Sequence, residues 1–225
     1  MGLVLAFDCA VSGLAVAVVR DGSALAIHRE EGREQAARLL PAIAALLEQA
    51  AVDRRALSMI AVTIGPGSFT GVRVGLAAAR GLAIALDIPL AGLSTTNTLL
   101  AQAPEDGRLV VAAIDSHLGD WFCALRAGAM GEGESQPFLA TTDALREKLR
   151  GRPALVVGPS AKQLASALGV DALEVLPDPV VLARLAEAEG VDGWRVRNRT
   201  EGLPRPLYLR GVNITLPDGQ RRTVE

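Results

Sequence analysis

The segment Gly65-Pro66-Gly67-Ser68-Phe69-Thr70-Gly71, continuing Val72-Arg73-Val74-Gly75, holds the densest set of residues able to do chemistry. An apolar run, Met59 to Ile64, leads into it, and an Ala/Leu-rich run, Val72 to Leu86, leaves it. A strand, a glycine-punctuated turn and a helix N-terminus make a place where backbone N–H groups converge on an anion. The same residues also suit a tight corner beside a closely packed helix. Three enzymatic templates test the first reading. A P-loop needs Lys-Ser/Thr after its last glycine, and here Val72-Arg73 follows Gly71. A nucleophile elbow needs glycines two residues either side of the serine, and Ser68 has Pro66 and Thr70 there. A dinucleotide fingerprint is nearer, with Gly65, Gly67 and Gly71. Its partner acid is missing, because the next strand, Pro89–Leu93, runs into Ser94-Thr95-Thr96. Gly67 and Ser68 remain as weak candidate contacts to a cofactor.

Two aspartates close apolar runs of the same form, Leu3-Val4-Leu5-Ala6-Phe7-Asp8 and Leu109-Val110-Val111-Ala112-Ala113-Ile114-Asp115. Facing each other across a cleft, Asp8 and Asp115 would hold a metal–nucleotide, with Ser12 adding a hydroxyl. Each aspartate could equally bend its own turn. Turns that cradle phosphate are rich in Gly and Ser/Thr, whereas these read Cys9-Ala10-Val11-Ser12-Gly13 and Ser116-His117-Leu118-Gly119. His28 and His117 are the only histidines, far apart and in no HxxxH spacing, so the sequence offers no histidine-built zinc or iron site.

The elements that position these residues fall into two halves. The first reads as strands Leu3–Phe7, Leu14–Val19 and Ala24–His28, then a helix whose apolar residues Leu39, Leu40, Ile43, Leu46, Leu47 and Ala50 trace one face. The strand Met59–Ile64, the glycine corner, the Val72–Leu86 helix and the strand Pro89–Leu93 follow. After a polar linker around Pro104-Glu105-Asp106-Gly107 the pattern starts again. The second half is expected to contain Leu109–Asp115, Trp121–Leu125, a helix over Thr142–Leu149, a strand over Ala154–Val157, and helices over Ser160–Leu168 and Pro179–Glu189. The tail from Arg195 to Glu225 reads as irregular. Two such β-β-β-α-β-α halves, residues 1–103 and a smaller, degenerate 108–225, predict an α/β protein with a duplicated actin/hexokinase/Hsp70-like (ASKHA, ribonuclease H-like) fold.

In the Val72–Leu86 helix, Arg73, Arg80 and Asp87 form a narrow polar line, and Gly71, Gly75, Ala79 and Ala83 form a ridge of small residues. That ridge admits a closely approaching helix, either from the chain's own sheet and first helix or from another subunit. The second option nominates Leu39, Ile43, Leu46, Val72, Gly75, Leu76, Ala79 and Ala83 as a partner interface.

At 225 residues, half of them hydrophobic, with a formal net charge of −2, the chain has ample core and no global signature of nucleic-acid binding. Cys9 and Cys123, with no CxxC, read as small buried apolar residues of a reducing compartment. The N-terminal apolar stretch stops at Asp8, and Arg73, Arg80, Asp87 and Pro89 interrupt the most apolar window. Neither a leader nor a membrane span is expected, and the location expected is cytoplasmic.

The ordered set Leu5-Ala6-Phe7-Asp8, Leu39-Leu40-Pro41, Gly65 through Gly75, Gly81-Leu82-Ala83, Ile88-Pro89-Leu90, Ala113-Ile114-Asp115 and Pro206-Leu207-Tyr208-Leu209-Arg210 resembles the TsaB (YeaZ) family over nearly the whole length. The resemblance implies a non-catalytic subunit in synthesis of the threonylcarbamoyl modification of tRNA. It implies a TsaD-like catalytic partner, a TsaE-like ATPase and indirect contact with tRNA. The helices at about Glu34–Ala51 and Ser68–Leu86 would form a four-helix bundle with the partner, or a homodimer when the chain is alone. Cys9-Ala10-Val11-Ser12 and Gly158-Pro159-Ser160 depart from the turns of ATP-binding relatives. On this view ATP or ADP would sit at the interface with the partner, near Asp8, Ser12, Gly67 and Ser68, rather than on this chain alone. The competing expectation is a small ATP-dependent phosphotransferase using Asp8 and Asp115. A peptidase has no nucleophile–base pair to support it.

Overall fold

A computed structural model describes residues 2–127, 132–210, 212–215 and 221–224. The β-branched apolar runs form strands and the 3.6-periodic runs form helices, in two topologically equivalent halves. In the first, β1 (Leu3–Asp8), β2 (Leu14–Arg20), β3 (Ser23–Glu30), β4 (Met59–Thr63) and β5 (Leu90–Leu93) make one sheet in the order β3-β2-β1-β4-β5. The hairpin pairs are antiparallel, while β1–β4 and β4–β5 are parallel. In the second, β6 (Leu109–Asp115), β7 (Trp121–Ala127), β10 (Ala154–Gly158) and β11 (Asp171–Glu174) repeat that arrangement. The place of β3 is shared by β8 (Glu132–Glu134) and β9 (Phe138–Ala140), both antiparallel to β7. This is the duplicated ASKHA-like α/β architecture.

Central strands such as β1 and β4 are buried at every position, as strands covered on both faces must be. The helices α1 (Gln35–Gln49) and α2 (Phe69–Leu86) cover one face of the first sheet with Leu39, Ile43, Leu46, Leu76, Ala79 and Ala83. The other face is closed by α6 (Pro179–Thr200), which follows the second sheet in the chain. Val180, Leu182, Ala183, Ala186 and Trp194 of α6 pack on Val4, Ala6, Ala17, Met59 and Ala61. Reciprocally, α4 (Thr142–Leu149) and α5 (Ala161–Leu168) cover one face of the second sheet, and α3 (Thr95–Leu100), from the first half, covers the other with Leu99 and Leu100. Each half caps the other's sheet. At roughly 1.5–3 kcal/mol for each fully buried aliphatic side chain, these exchanged helices are not decoration.

The structure corrects the expected C-terminus. Arg195–Thr200 is helical, because α6 resumes after a single non-helical residue, Gly190 (φ 79°, ψ 161°), and runs on to Thr200. There Asn198 holds both backbone groups of Leu90, accepting its N–H at 2.7 Å and donating to its carbonyl at 3.0 Å. The side-chain amide thus imitates a neighbouring strand at the exposed edge of the sheet. Beyond it, β12 (Val212–Thr215) and β13 (Arg221–Val224) form an antiparallel pair. Strands β8, β9 and β11 and the helix α3 are further additions to the expected elements. α3 is six residues long with no apolar period, signalled only by its N-cap Ser94, whose Oγ accepts the Asn97 N–H at 3.4 Å.

The glycine corner joins β4 to α2 by backbone contact with the Asp8 turn. Ser68 N–H donates to the Ala10 carbonyl at 2.6 Å, and Ser68 Oγ caps the helix by accepting the Gly71 N–H at 3.2 Å. A Cβ on Gly67 would lie 2.3 Å from the Ala10 oxygen, and one on Gly71 would lie 1.9 Å from the Cys9 oxygen. Glycine is required here because two backbones touch, not because a ligand does. Gly81 in the same helix has nothing within 4 Å of its missing Cβ. Gly71→Ala is therefore expected to destabilise by about 2–4 kcal/mol in urea unfolding. Gly81→Ala is expected to stabilise by about 0.5–1 kcal/mol. Equal effects of the two would contradict this account of the corner.

Candidate functional site

The Asp8 turn is the first place to look for chemistry. Asp8 is 3% exposed. Its Oδ1 accepts the Thr63 hydroxyl at 2.5 Å and the Ala10 N–H at 3.2 Å. Burial raises its pKa above the ordinary carboxylate value, against the lowering effect of those hydrogen bonds and of Arg29. Asp115 repeats the local device, its Oδ1 accepting the His117 N–H at 2.7 Å. Both aspartates bend their own turns, and the shared motif at the end of each half's first strand is a trace of the duplication. Ser12 is exposed and shares with Asp8 a cavity of about 230 Å³, walled also by Leu14, Arg29, Glu30 and Glu31. That volume lies below the usual range for ligand pockets. Its one guanidinium, Arg29, is paired with Asp178 at 3.0 Å, while Glu30 and Glu31 add negative charge. Such a wall repels phosphate.

The structure does not bring Gly67 and Ser68 into this cavity. They sit against Ala10 on the other side of the turn, where the Ser68 N–H is taken by a carbonyl and its hydroxyl by the helix cap. The four proposed cofactor contacts therefore do not make one site, and the residues present do not fit a nucleotide held by this chain alone. Neither cysteine is poised as a nucleophile. Cys9 and Cys123 are both buried, and burial raises both thiols, that of Cys123 to about 12.

The second place is the outer surface of α1 and α2. Here the eight proposed interface residues, Leu39, Ile43, Leu46, Val72, Gly75, Leu76, Ala79 and Ala83, are all buried within this chain. Six of the eight lie in the first core cluster with the sheet. A Cβ on Gly75 would meet Cys9 and Val62 at 3.5–3.6 Å. The small-residue ridge is thus an internal contact, and a direct interface through those side chains is corrected. The reason is that α2 carries two ridges. Gly71, Gly75, Ala79 and Ala83 face the sheet, while Ala77, Gly81 and Ala85, also four apart, lie on the exposed side with Ile84 at 71% exposure. On α1, Leu40 is 53% exposed. It borders an apolar groove of about 510 Å³ floored by Ile43, Leu47, Leu82 and Leu86 and rimmed by Arg54 and Arg55.

The polar line of α2 has a use the sequence did not disclose. Arg73 Nε donates to the Tyr208 hydroxyl at 2.8 Å, and Arg80 Nε donates to the Pro204 carbonyl at 3.1 Å. The Asp87 carbonyl accepts from Arg195 at 3.3 Å. The returning tail also donates Leu207 N–H to the Ile64 carbonyl at 2.8 Å. Phe69 and Tyr208 rings lie 5.6 Å apart, with the Arg73 guanidinium 3.6 Å above Phe69. With its inner ridge on the sheet and Arg73 and Arg80 bonded to the tail, the Ala77–Gly81–Ile84–Ala85 side of α2 is left uncovered, as are Phe69 and Thr70 in its first turn.

Asp8 gives this site a pH signature. Its folded pKa lies above its unfolded value, so the native state holds its proton more tightly. That contribution is present below the unfolded value and is lost as pH rises through the raised folded value. Asp8→Asn should therefore gain stability relative to the natural protein as pH rises from 4 to 8, seen as a widening gap in Tm. A gap that narrows over that range would mean the carboxylate is stabilised as an anion.

Residues 8–126, more than half of the chain, match the family model described as TsaD: tRNA N6-adenosine threonylcarbamoyltransferase. The tRNA threonylcarbamoyladenosine biosynthesis protein TsaB of Escherichia coli K12 is 35% identical over 123 residues, covering 54% of this chain and 53% of that protein. TsaB of Bacillus subtilis 168 is 32% identical over 123 residues, 54% of each chain. The chain thus matches about half the length of these curated relatives. In three dimensions it superposes on YeaZ from Pseudomonas aeruginosa with a TM-score of 0.76 at 28% identity, covering 93% of this chain and all of that one. The glycine corner, the Asp8 turn and the helices that follow lie within the matched residues, and the chain belongs to the TsaB (YeaZ) family.

Proposed function

We propose that the chain is a non-catalytic scaffold subunit for threonylcarbamoylation of tRNA adenosine. It docks a TsaD-like catalytic subunit through the outer faces of α1 and α2, in a complex that a TsaE-like ATPase joins. The observation that carries this reading is the contrast between its two candidate sites. The Asp8 turn is shut, with its carboxylate buried, hydrogen-bonded and biased towards the neutral form. The α1–α2 surface is open, with Leu40 more than half exposed beside the apolar groove and Ile84 more than half exposed further round α2. A helix as apolar as α2, long enough by length and composition alone to cross a bilayer, is stable in water when both flanks and the outer face are covered.

Ala77, Gly81 and Ala85 let a partner helix approach α2 closely, while Leu40 and Ile84 supply the side chains that anchor it. The same surface pairs two copies of this chain when the catalytic subunit is absent. Adenine nucleotide, where the complex uses it, lies at the seam with the partner and not in the 230 Å³ cavity beside Asp8. The setting is cytoplasmic, where tRNA is modified.

Co-purification with the TsaD-like subunit of the same organism tests the reading. Gly81→Leu and Ile84→Glu should each lower recovery of the partner at least tenfold, a loss of about 1.4 kcal/mol or more, with Tm within a few degrees of the natural chain. Gly75→Leu should instead unfold the protein, since that position faces Cys9 and Val62. Undiminished pairing by both outer-face variants would place the interface elsewhere.

A further inference from the structure

The end of the second half far from the α1–α2 surface in sequence carries a second uncommitted feature. In a chain with only two lysines and a net charge of −2, Arg146, Lys148, Arg150 and Arg152 fall within seven residues at the C-terminus of α4 and the loop after it. With Arg108 they surround two adjoining cavities. One, of about 410 Å³, is lined by Arg108, Arg146 and Arg152, and the other, of about 630 Å³, by Glu147, Lys148, Arg150 and Arg152.

The five cations differ in how they are used. Arg108 is held by Asp106 and by Asp171, the latter at 2.7 Å. Arg146 pairs with Asp143 and donates to the Ala167 carbonyl at 2.8 Å, closing the C-terminus of α5. Those two are structural. Lys148 lies over the Phe138 ring at 5.3 Å, a contact that leaves its ammonium in water. Arg150 and Arg152 enter no salt bridge or side-chain hydrogen bond among the described residues. Three cations thus face one uncommitted carboxylate, Glu147. Compensation of the α4 dipole accounts for Lys148, in the last turn, but not for Arg152, which lies beyond it.

We infer that Lys148, Arg150 and Arg152 form a contact surface for the phosphate backbone of RNA. The inference rests on the reading that this chain serves tRNA modification. Its chemistry argues for backbone contact without base readout. Arginine and lysine neutralise phosphates in any sequence, and the one aromatic ring in the cluster, Phe138, is half-buried beneath Lys148 and offers no free face for stacking. An acidic peptide is the weaker match, because the apolar residues that would anchor one, Leu149, Pro153, Leu168 and Val170, line the cavity beside the already paired Arg108 and Arg146, whereas the cavity walled by Lys148 and Arg150 offers only Ala144. In a near-neutral chain this local concentration of positive charge is a place where a polyanion can approach.

The test is an equilibrium titration of labelled, unmodified tRNA with the full chain, alone and with its catalytic partner, between about 50 and 200 mM salt. The variant is Lys148→Ala, Arg150→Gly, Arg152→Ala, in which glycine suits the left-handed backbone of position 150 (φ 47°, ψ 39°). Its Tm should be unchanged. Binding should weaken roughly tenfold, and the slope of log K against log salt should flatten by about 2, as expected for the loss of two to three phosphate contacts. Arg20→Ala, at the exposed end of β2, should leave both untouched. An unchanged affinity and slope in the triple variant would overturn the inference, as would a natural chain whose tRNA binding shows no salt dependence. Recovery of the catalytic partner, measured on the same proteins, reports separately on the docking surface. A salt-sensitive tRNA contact with no partner recovered would sink the docking reading and leave this one standing.

Discussion

The molecule depends on a shortage of covering elements. The central strands of each sheet are apolar on both faces, and a strand such as Leu3-Val4-Leu5-Ala6-Phe7 must be covered twice. Each half supplies two helices, α1 and α2 or α4 and α5, for one face only. The remaining faces are closed by exchange, with α6 crossing to the first sheet and α3 to the second. Neither half can bury its own core without the other, so the two are bound to fold as one cooperative unit. The exchange also fixes the course of the C-terminal tail. Once α6 lies on the first sheet, Asn198 meets the β5 edge, and the residues after it run back across Gly92 and the glycine corner to Arg73 and Arg80.

That course determines which parts of the first half stay free. The Asp8 turn and the corner are pressed together closely enough that two glycines have no room for a methyl group. Two of the backbone donors at the corner, the Ser68 and Gly71 N–H groups, are turned inward to a carbonyl and a hydroxyl oxygen. Asp8 secures Thr63 and its own turn. The fold by itself assigns no chemistry to this closed turn.

Much of this was legible in the residues. The strand–Asp–turn–strand unit announced the duplication, because a hairpin with the same punctuation occurs twice, each time at the start of a half. The absence of a lysine after Gly71 and of an acid after Leu93 argues against nucleotide templates from the residues alone. Three things were hidden, each for a physical reason. The six residues of α3 are too few to show a period, and their place is set by the sheet they cover. Arg195–Thr200 looked irregular because a single glycine at φ 79° interrupts the pattern, while the helix beyond it is held by tertiary contacts. The cations of the 146–152 segment were visible, but which of them are spent on Asp143, Asp171 and the α5 carbonyl is a property of the packed structure.

The inward placement of the expected ridge is the most instructive difference, because α2 satisfies the same pattern twice. Gly71, Gly75, Ala79 and Ala83 repeat every four residues, and so do Ala77, Gly81 and Ala85. Periodicity finds a small-residue ridge and does not say which way it faces. What separates them is the identity of their neighbours in space. The inner ridge meets the Asp8 turn and the sheet, so its glycines at 71 and 75 answer to Cys9 and Val62. The outer ridge is left uncovered by the chain, yet it is flanked by Ile84 at 71% exposure rather than by charge. A solvated helix face of this length normally carries charged side chains. Apart from Arg73 and Arg80, both held by the tail, α2 carries none between Thr70 and Ala85. The docking proposed for this chain uses the outer side of α2, which its own fold leaves alone.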